Sequence, residues 1–130
     1  MRLFLKAVIC LTCTLILYSC QNVQSGRYRE AFRPQYNFSP EKKWMNDPNG
    51  LVYLDGEYHL LYQYYPDSTV WDPMHWGHAI SHDLISWKHL PIALYPDSLG
   101  FIFSGSAVTD IENSSGFRNN DKSPLVAIFI

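Results

Sequence analysis

Two β-prone runs meet at Asp55-Gly56, with Leu51-Val52-Tyr53-Leu54 before it and residues 57–65 after it. Asp-Gly supplies the left-handed backbone that a two-residue hairpin turn requires, so this stretch constrains the fold more than any other. Alternation along the second run puts Tyr58, Leu60, Tyr62 and Tyr64 on one face, and His59, Leu61, Gln63 and Tyr65 on the other. Both faces are largely apolar, which predicts a strand covered on both sides, as in stacked sheets. Further strands are predicted over 76–81, 87–90, 101–109 and 124–130. Turn signals separate them: Pro66-Asp67, Asp72-Pro73, Ser81-His82-Asp83, Pro96-Asp97-Ser98 and residues 113–120. Short strands at this rhythm predict an all-β sandwich, barrel or propeller, and spacing alone does not choose among them.

Composition agrees with strands and turns rather than long helices, since nine Tyr, seven Phe and four Trp accompany eight Pro and seven Gly. The formal net charge of -2 offers no basic patch, which argues against a nucleic-acid partner. The first twenty residues stand apart. Arg2 and Lys6 give a positive start, and residues 7–18 are mostly apolar but too few to span a bilayer as a stable helix, as in a signal peptide.

Leu17-Tyr18-Ser19-Cys20 closes that segment and resembles a bacterial lipobox. The resemblance implies cleavage before Cys20, lipidation of its sulfur, and a cell-envelope lipoprotein of a bacterium held at the membrane by its acyl chains. An ordinary signal peptide with a chance cysteine is the plainer reading. All three cysteines lie in this segment, so the mature chain would have no internal disulfide and no cysteine-based metal site. The expected division is a signal peptide over 1–19, a polar tether over 20–31 and a domain over 32–130. The final run, Leu125-Val126-Ala127-Ile128-Phe129-Ile130, is apolar and β-prone with no polar residue after it. Such an edge would be exposed and adhesive, so the expectation is a chain cut inside a larger domain.

The most informative stretch for chemistry is Trp44-Met45-Asn46-Asp47-Pro48-Asn49-Gly50. Pro48 disfavours the helical region for Asp47, so Asp47 is expected extended, and Asn49-Gly50 is expected to turn the chain. That would hold a carboxylate at the mouth of a strand on a stiff backbone, where a scaffold can aim it. Taken alone, the same four residues from Asp47 to Gly50 read as a capped turn.

The seven residues together resemble the signature of glycoside hydrolase family 32, the invertases, levanases, inulinases and fructan exohydrolases. Further blocks extend the resemblance in order: Tyr62-Gln63-Tyr64-Tyr65-Pro66, residues 71–79 around Met74-His75-Trp76-Gly77-His78, residues 81–87 with 91–94, and Phe103-Ser104-Gly105-Ser106-Ala107. Tyr65 stands where the family more often has Asn.

The resemblance implies the first roughly two blades of a five-bladed β-propeller. It implies hydrolysis of β-fructofuranosides such as sucrose or fructans, with retained configuration, on a fructose-containing oligo- or polysaccharide partner. Asp47 would be the nucleophile, forming a covalent fructosyl-enzyme that water releases. Asn46, Gln63 and Ser104 would hydrogen-bond fructose hydroxyls, and Trp71 and Phe103 would wall the sugar. A retaining glycosidase also needs a second carboxyl about 5 Å away as acid and base. The family supplies it in a Glu-Cys motif and stabilises the transition state with an Arg-Asp-Pro aspartate; neither motif occurs in these 130 residues. The expectation is therefore a catalytically incomplete segment, inactive by itself and prone to aggregate.

No cofactor is implied, since the chemistry uses carboxylates alone. His75, His78 and His82 are close in sequence, but no carboxylate or cysteine completes a set, and no metal site is expected. Two other functions remain open on these residues: a non-catalytic fructan-binding lipoprotein, and a fructosyltransferase of the same fold.

Overall fold

The Asp55-Gly56 turn forms as the sequence predicts. Asp55 and Gly56 both take positive φ, 51° and 88°, and join strand β1 (Trp44–Leu54) to strand β2 (Glu57–Tyr65). The computed structural model describes residues 30–34 and 36–130. Four more strands follow: β3 (His75–Ser81), β4 (Lys88–Leu94), β5 (Gly105–Thr109) and β6 (Leu125–Phe129). The described residues contain strands and turns and no α-helix, as the all-β expectation requires.

β1 to β4 pair antiparallel in sequence order to make one four-stranded sheet. This meander has the form of one propeller blade. β5 and β6 pair antiparallel as a separate hairpin, the start of a second blade. Gly105 permits that pairing at its first rung. A Cβ there would stand 2.1 Å from the Ile128 carbonyl oxygen and 2.7 Å from the Phe129 Cα.

β2 is covered on both faces, with Leu60, Leu61, Tyr62 and Gln63 all buried. On one face Leu61 joins Trp76, Ile102 and Ala107 in the core between the sheets, flanked by Val52, Leu94 and Ala127. On the other, Tyr62 packs against Phe38 at 4.9 Å between ring centroids, and Phe38 meets Trp87 edge-on at 5.4 Å. Burying such aromatic pairs contributes about 0.5–1.5 kcal/mol each beyond their area.

Four expectations are corrected. The chain does not turn at Asn49-Gly50; β1 runs through the whole motif and absorbs it as two irregularities, between Asn46 and Pro48 and between Asn49 and Val52. Asp47 is not extended but has φ 33°, and Gly50 has φ 56°. The strand expected over 87–90 continues to Leu94 through Pro91. Pro91 is tolerated because β4 is the sheet's outer edge and its pairing with β3 slips between Trp76 and His78. The strand expected from 101 begins at Gly105, because residues 101–104 run as a connector held by side chains of the first sheet.

Candidate active site

Asp47 lies near the start of β1 and is exposed. Its φ of 33° is unfavourable for a residue with a Cβ, and the following proline restricts it further. Such a conformation costs on the order of 1–3 kcal/mol, and surrounding contacts must fix it. Two are present. The Asn49 side-chain amide donates from Nδ2 to the Asp47 carbonyl at 2.9 Å. The Ser104 hydroxyl donates to Asp47 Oδ2 at 2.8 Å, across 57 residues of sequence. The carboxylate's other oxygen, Oδ1, has no hydrogen-bond partner among the described residues.

Ser104 reaches Asp47 because the first sheet grips the connector in front of it. Gln63 Nε2 donates to the Ile102 carbonyl at 3.1 Å, and Trp76 Nε1 donates to the Phe103 carbonyl at 3.0 Å. The Ile102 amide donates in turn to the Met74 carbonyl at 3.0 Å. Gln63 and Trp76 are cross-strand partners on β2 and β3, so two successive carbonyls are held from one rung of the ladder. Gln63 is 2 % exposed and Trp76 fully buried, which makes both bonds rigid fixtures.

Asn46 is the cross-strand partner of Gln63, and its Oδ1 accepts from Trp44 Nε1 at 3.1 Å. With the oxygen so engaged, the amide's Nδ2 hydrogens are what it can offer a hydroxyl. Ser104, having donated to Asp47, can still accept. An apolar border is built by exposed rings. Trp71 meets Phe101 edge-on at 6.1 Å, and Phe101 lies 6.3 Å from Phe103. The structure thus brings Asp47 and Ser104 into contact, sets Asn46 beside Gln63, and joins Trp71 to Phe103 through Phe101. Gln63 is directed into the core toward Ile102, as a buried strand amide can be.

Phe101 was missed by sequence reasoning. Its signal was the two-residue spacing to Phe103, which puts both rings on one side of an extended connector. His59 was missed too. Its Nδ1 lies 3.1 Å from His78 Nε2, with the rings stacked at 5.3 Å. Burial, and then the neighbouring His59, hold the His78 imidazole below its usual pKa. His82 falls beyond the end of β3, near Gly56 and Glu57, so it does not join His78. Among the described residues, no group of three or more His, Cys, Asp or Glu side chains is placed to hold a metal. Cys20 and the lipobox-like segment lie outside the described residues.

Residues 37–129 match the family model for the glycosyl hydrolases family 32 N-terminal domain. The chain is 59% identical over 119 residues to the levanase of Bacillus subtilis (strain 168), which covers 89% of this chain and 18% of the levanase. Among solved structures, the exo-inulinase of Aspergillus awamori superposes with a TM-score of 0.73 at 50% identity, covering 78% of this chain and 21% of the exo-inulinase chain. A fructofuranosidase of Schwanniomyces occidentalis complexed with fructose gives a TM-score of 0.71 at 46% identity, covering 81% and 22%. The chain spans about a fifth of the length of these relatives. Its all-β architecture is part of the five-bladed β-propeller of such enzymes. A family match over most of the chain, high identity and a shared fold together establish that this protein belongs to glycosyl hydrolases family 32, within whose N-terminal domain its sheets lie.

Proposed function

We propose that the chain is the N-terminal part of a retaining β-fructofuranosidase, with Asp47 as its nucleophile. The observation that carries this reading is the aimed carboxylate: Asp47 Oδ2 is held by Ser104, which follows Phe103 of the aromatic border in sequence, while Oδ1 stays open. In this reading Oδ1 attacks the anomeric carbon of a fructofuranosyl unit. The glycosidic C–O bond breaks as a separate carboxylic acid gives its proton to the leaving oxygen. Water then attacks the same carbon, that carboxylate takes the water's proton, and the Asp47 ester bond breaks to free fructose. Asn46 and Ser104 orient the fructose hydroxyls, and Trp71 and Phe103 cover the sugar's C–H face and exclude water. Gln63, named with them by the resemblance, is buried and acts through the connector whose Ile102 carbonyl its Nε2 holds ahead of Ser104.

Sucrose, levan and inulin all present the required unit, and relatives are named for acting on fructans. The acid/base glutamate is not supplied by these 130 residues, so the chain alone is inactive; loss of that group costs about two to four orders of magnitude. The remainder of the proposal concerns placement. Export through residues 1–19 and lipidation at Cys20 would hold the enzyme in the bacterial cell envelope, with 20–31 as a tether. Some relatives are named as extracellular.

The test is chemical. The full-length protein carrying this segment is quenched in acid during turnover of sucrose, digested, and read by mass spectrometry for a fructosyl ester on the peptide containing Asp47. Wild type should show it and Asp47→Asn should not. Full turnover by Asp47→Asn would end the proposal. Palmitate incorporation that disappears in Cys20→Ser checks the anchor separately.

A further inference from the structure

We infer that Asn49 is a positioning residue for the nucleophile, setting the direction of the Asp47 carboxylate through the backbone rather than by touching substrate. The inference rests on the reading of Asp47 as nucleophile.

The direction in which a side chain leaves its Cα is set by the backbone of its own residue and by the chain on either side, and its own torsions act only from that starting point. Three of the local freedoms are already removed. Asp47 is committed to φ 33°, the ring of Pro48 locks its own φ, and Asn46 is paired to Gln63 across the sheet. What remains free in the backbone of residue 47 is ψ, which swings the Asp47 carbonyl. Asn49 Nδ2 binds that carbonyl oxygen at 2.9 Å. The bond therefore fixes the last backbone rotation at the residue that carries the carboxylate, and the side-chain torsions beyond it are left to the Ser104 hydroxyl on Oδ2.

A second observation shows that the amide is committed to this task. Asn49 Oδ1 is buried and has no hydrogen-bond partner. Turning the amide over would move the donor to the unpartnered side and abandon the Asp47 carbonyl. The side chain is thus held in the one orientation that serves residue 47, although its own oxygen goes unsatisfied. A residue serving only general stability would satisfy both ends of its amide.

The position of Asn49 in the strand supports the same role. It sits between the two irregularities of β1, after the break at Asn46–Pro48 and before the one at Asn49–Val52, and pairs with Leu61 on β2. A regular strand would point residue 47 according to the pleat. The bulged segment points it elsewhere, and Asn49 is the only side chain among the described residues recorded as bonding the backbone of that segment from within it.

The test uses the full-length protein carrying this segment, with wild type, Asp47→Asn, Asn49→Ala and Asn49→Asp. Asn49→Asp keeps shape and volume but removes the donor and adds a negative charge, whereas Asn49→Ala removes the donor without the charge, so the two are read together and a melt of each shows which is folded at the assay temperature. Steady-state kinetics on sucrose are paired with the rate of fructosyl-ester formation at Asp47 by rapid acid quench. Both Asn49 variants should lower kcat and the ester-formation rate by about 10- to 100-fold, with KM within about threefold of wild type, because a misaimed nucleophile slows the chemical step. A folded Asn49 variant that forms the ester within twofold of the wild-type rate overturns the inference. So does a variant whose loss lies wholly in KM. A wild type that turns over sucrose without any ester at Asp47 overturns the nucleophile assignment itself, which is a different and separately visible result.

Discussion

The two ends of the β1–β2 pair are built from the same strands and behave differently. At the hairpin end, Val52, Tyr53 and Leu54 pair in unbroken register with His59, Tyr58 and Glu57 around a tight turn. At the other end, between Trp44 and Val52, the register breaks twice and Asp47 adopts a left-handed backbone. The hairpin end is held by its neighbours in sequence. The opposite end is held by Ser104 from far along the chain and by Asn49 from within the bulge. A strand's regular portion stores the fold, and its irregular portion is where a side chain can be aimed away from the pleat.

If this contrast is right, substitutions at the two ends separate into losses of activity and losses of stability. The largest effect belongs to Asp47→Asn in the full-length protein, with kcat on sucrose reduced by roughly four orders of magnitude or more and an unchanged melt. Ser104→Ala comes next. It removes a hydrogen bond to an ionised carboxylate, and kcat should fall about tenfold while thermal unfolding shifts little. Phe101→Ala should raise KM for sucrose about three- to tenfold with kcat nearly constant, since it removes apolar border rather than chemistry. At the hairpin end, Gly56→Ala forces a side chain onto φ 88° and should cost about 1 kcal/mol in denaturant unfolding, leaving kcat unaltered. A Gly56→Ala variant with impaired kcat and intact stability would dissolve the contrast.

The smallest effect sits in the turn after β3. Asp83 Oδ1 accepts from the Ser86 and Ile85 amides and from the Ser81 hydroxyl. The Ser86 and Ile85 amides are the main cause of a carboxyl pKa lowered to about 2 from its usual 3.8. A depressed carboxylate contributes stability above its unfolded pKa and loses it as pH falls through the folded one. Asp83→Asn should therefore lower Tm by a few degrees at pH 7, with the difference from wild type closing between pH 4 and pH 2. The measurement is a melt at each pH. A difference that stays constant over that window would remove this turn's carboxylate from the account.

The legibility of the sequence followed the same division. Asp55-Gly56 announced its hairpin because two residues carry the whole turn signal, and the burial of β2 on both faces followed from its unbroken apolar pattern. The irregularities of β1 were not legible. Pro48 argued for an extended Asp47, and local preference was overridden by the contacts of Ser104 and Asn49. Gln63 looked like a substrate-facing amide by resemblance, and the structure shows its Nε2 engaged with the Ile102 carbonyl. Nothing in the spacing of residues 101–104 revealed that side chains from β2 and β3 would grip them, because that grip is long-range. The pairing of Ser104 with Asp47 could be anticipated only through family resemblance.

The 57 residues between Asp47 and its hydroxyl partner also set an order of events. As the chain emerges N-terminus first, the first hairpin can close before residue 104 has followed, since hairpins form in microseconds. During that interval the aspartate lacks one of its two restraints. Its final pose arrives only when the later connector docks on Gln63 and Trp76, so a correctly pointed carboxylate reports that the nascent sheets have met.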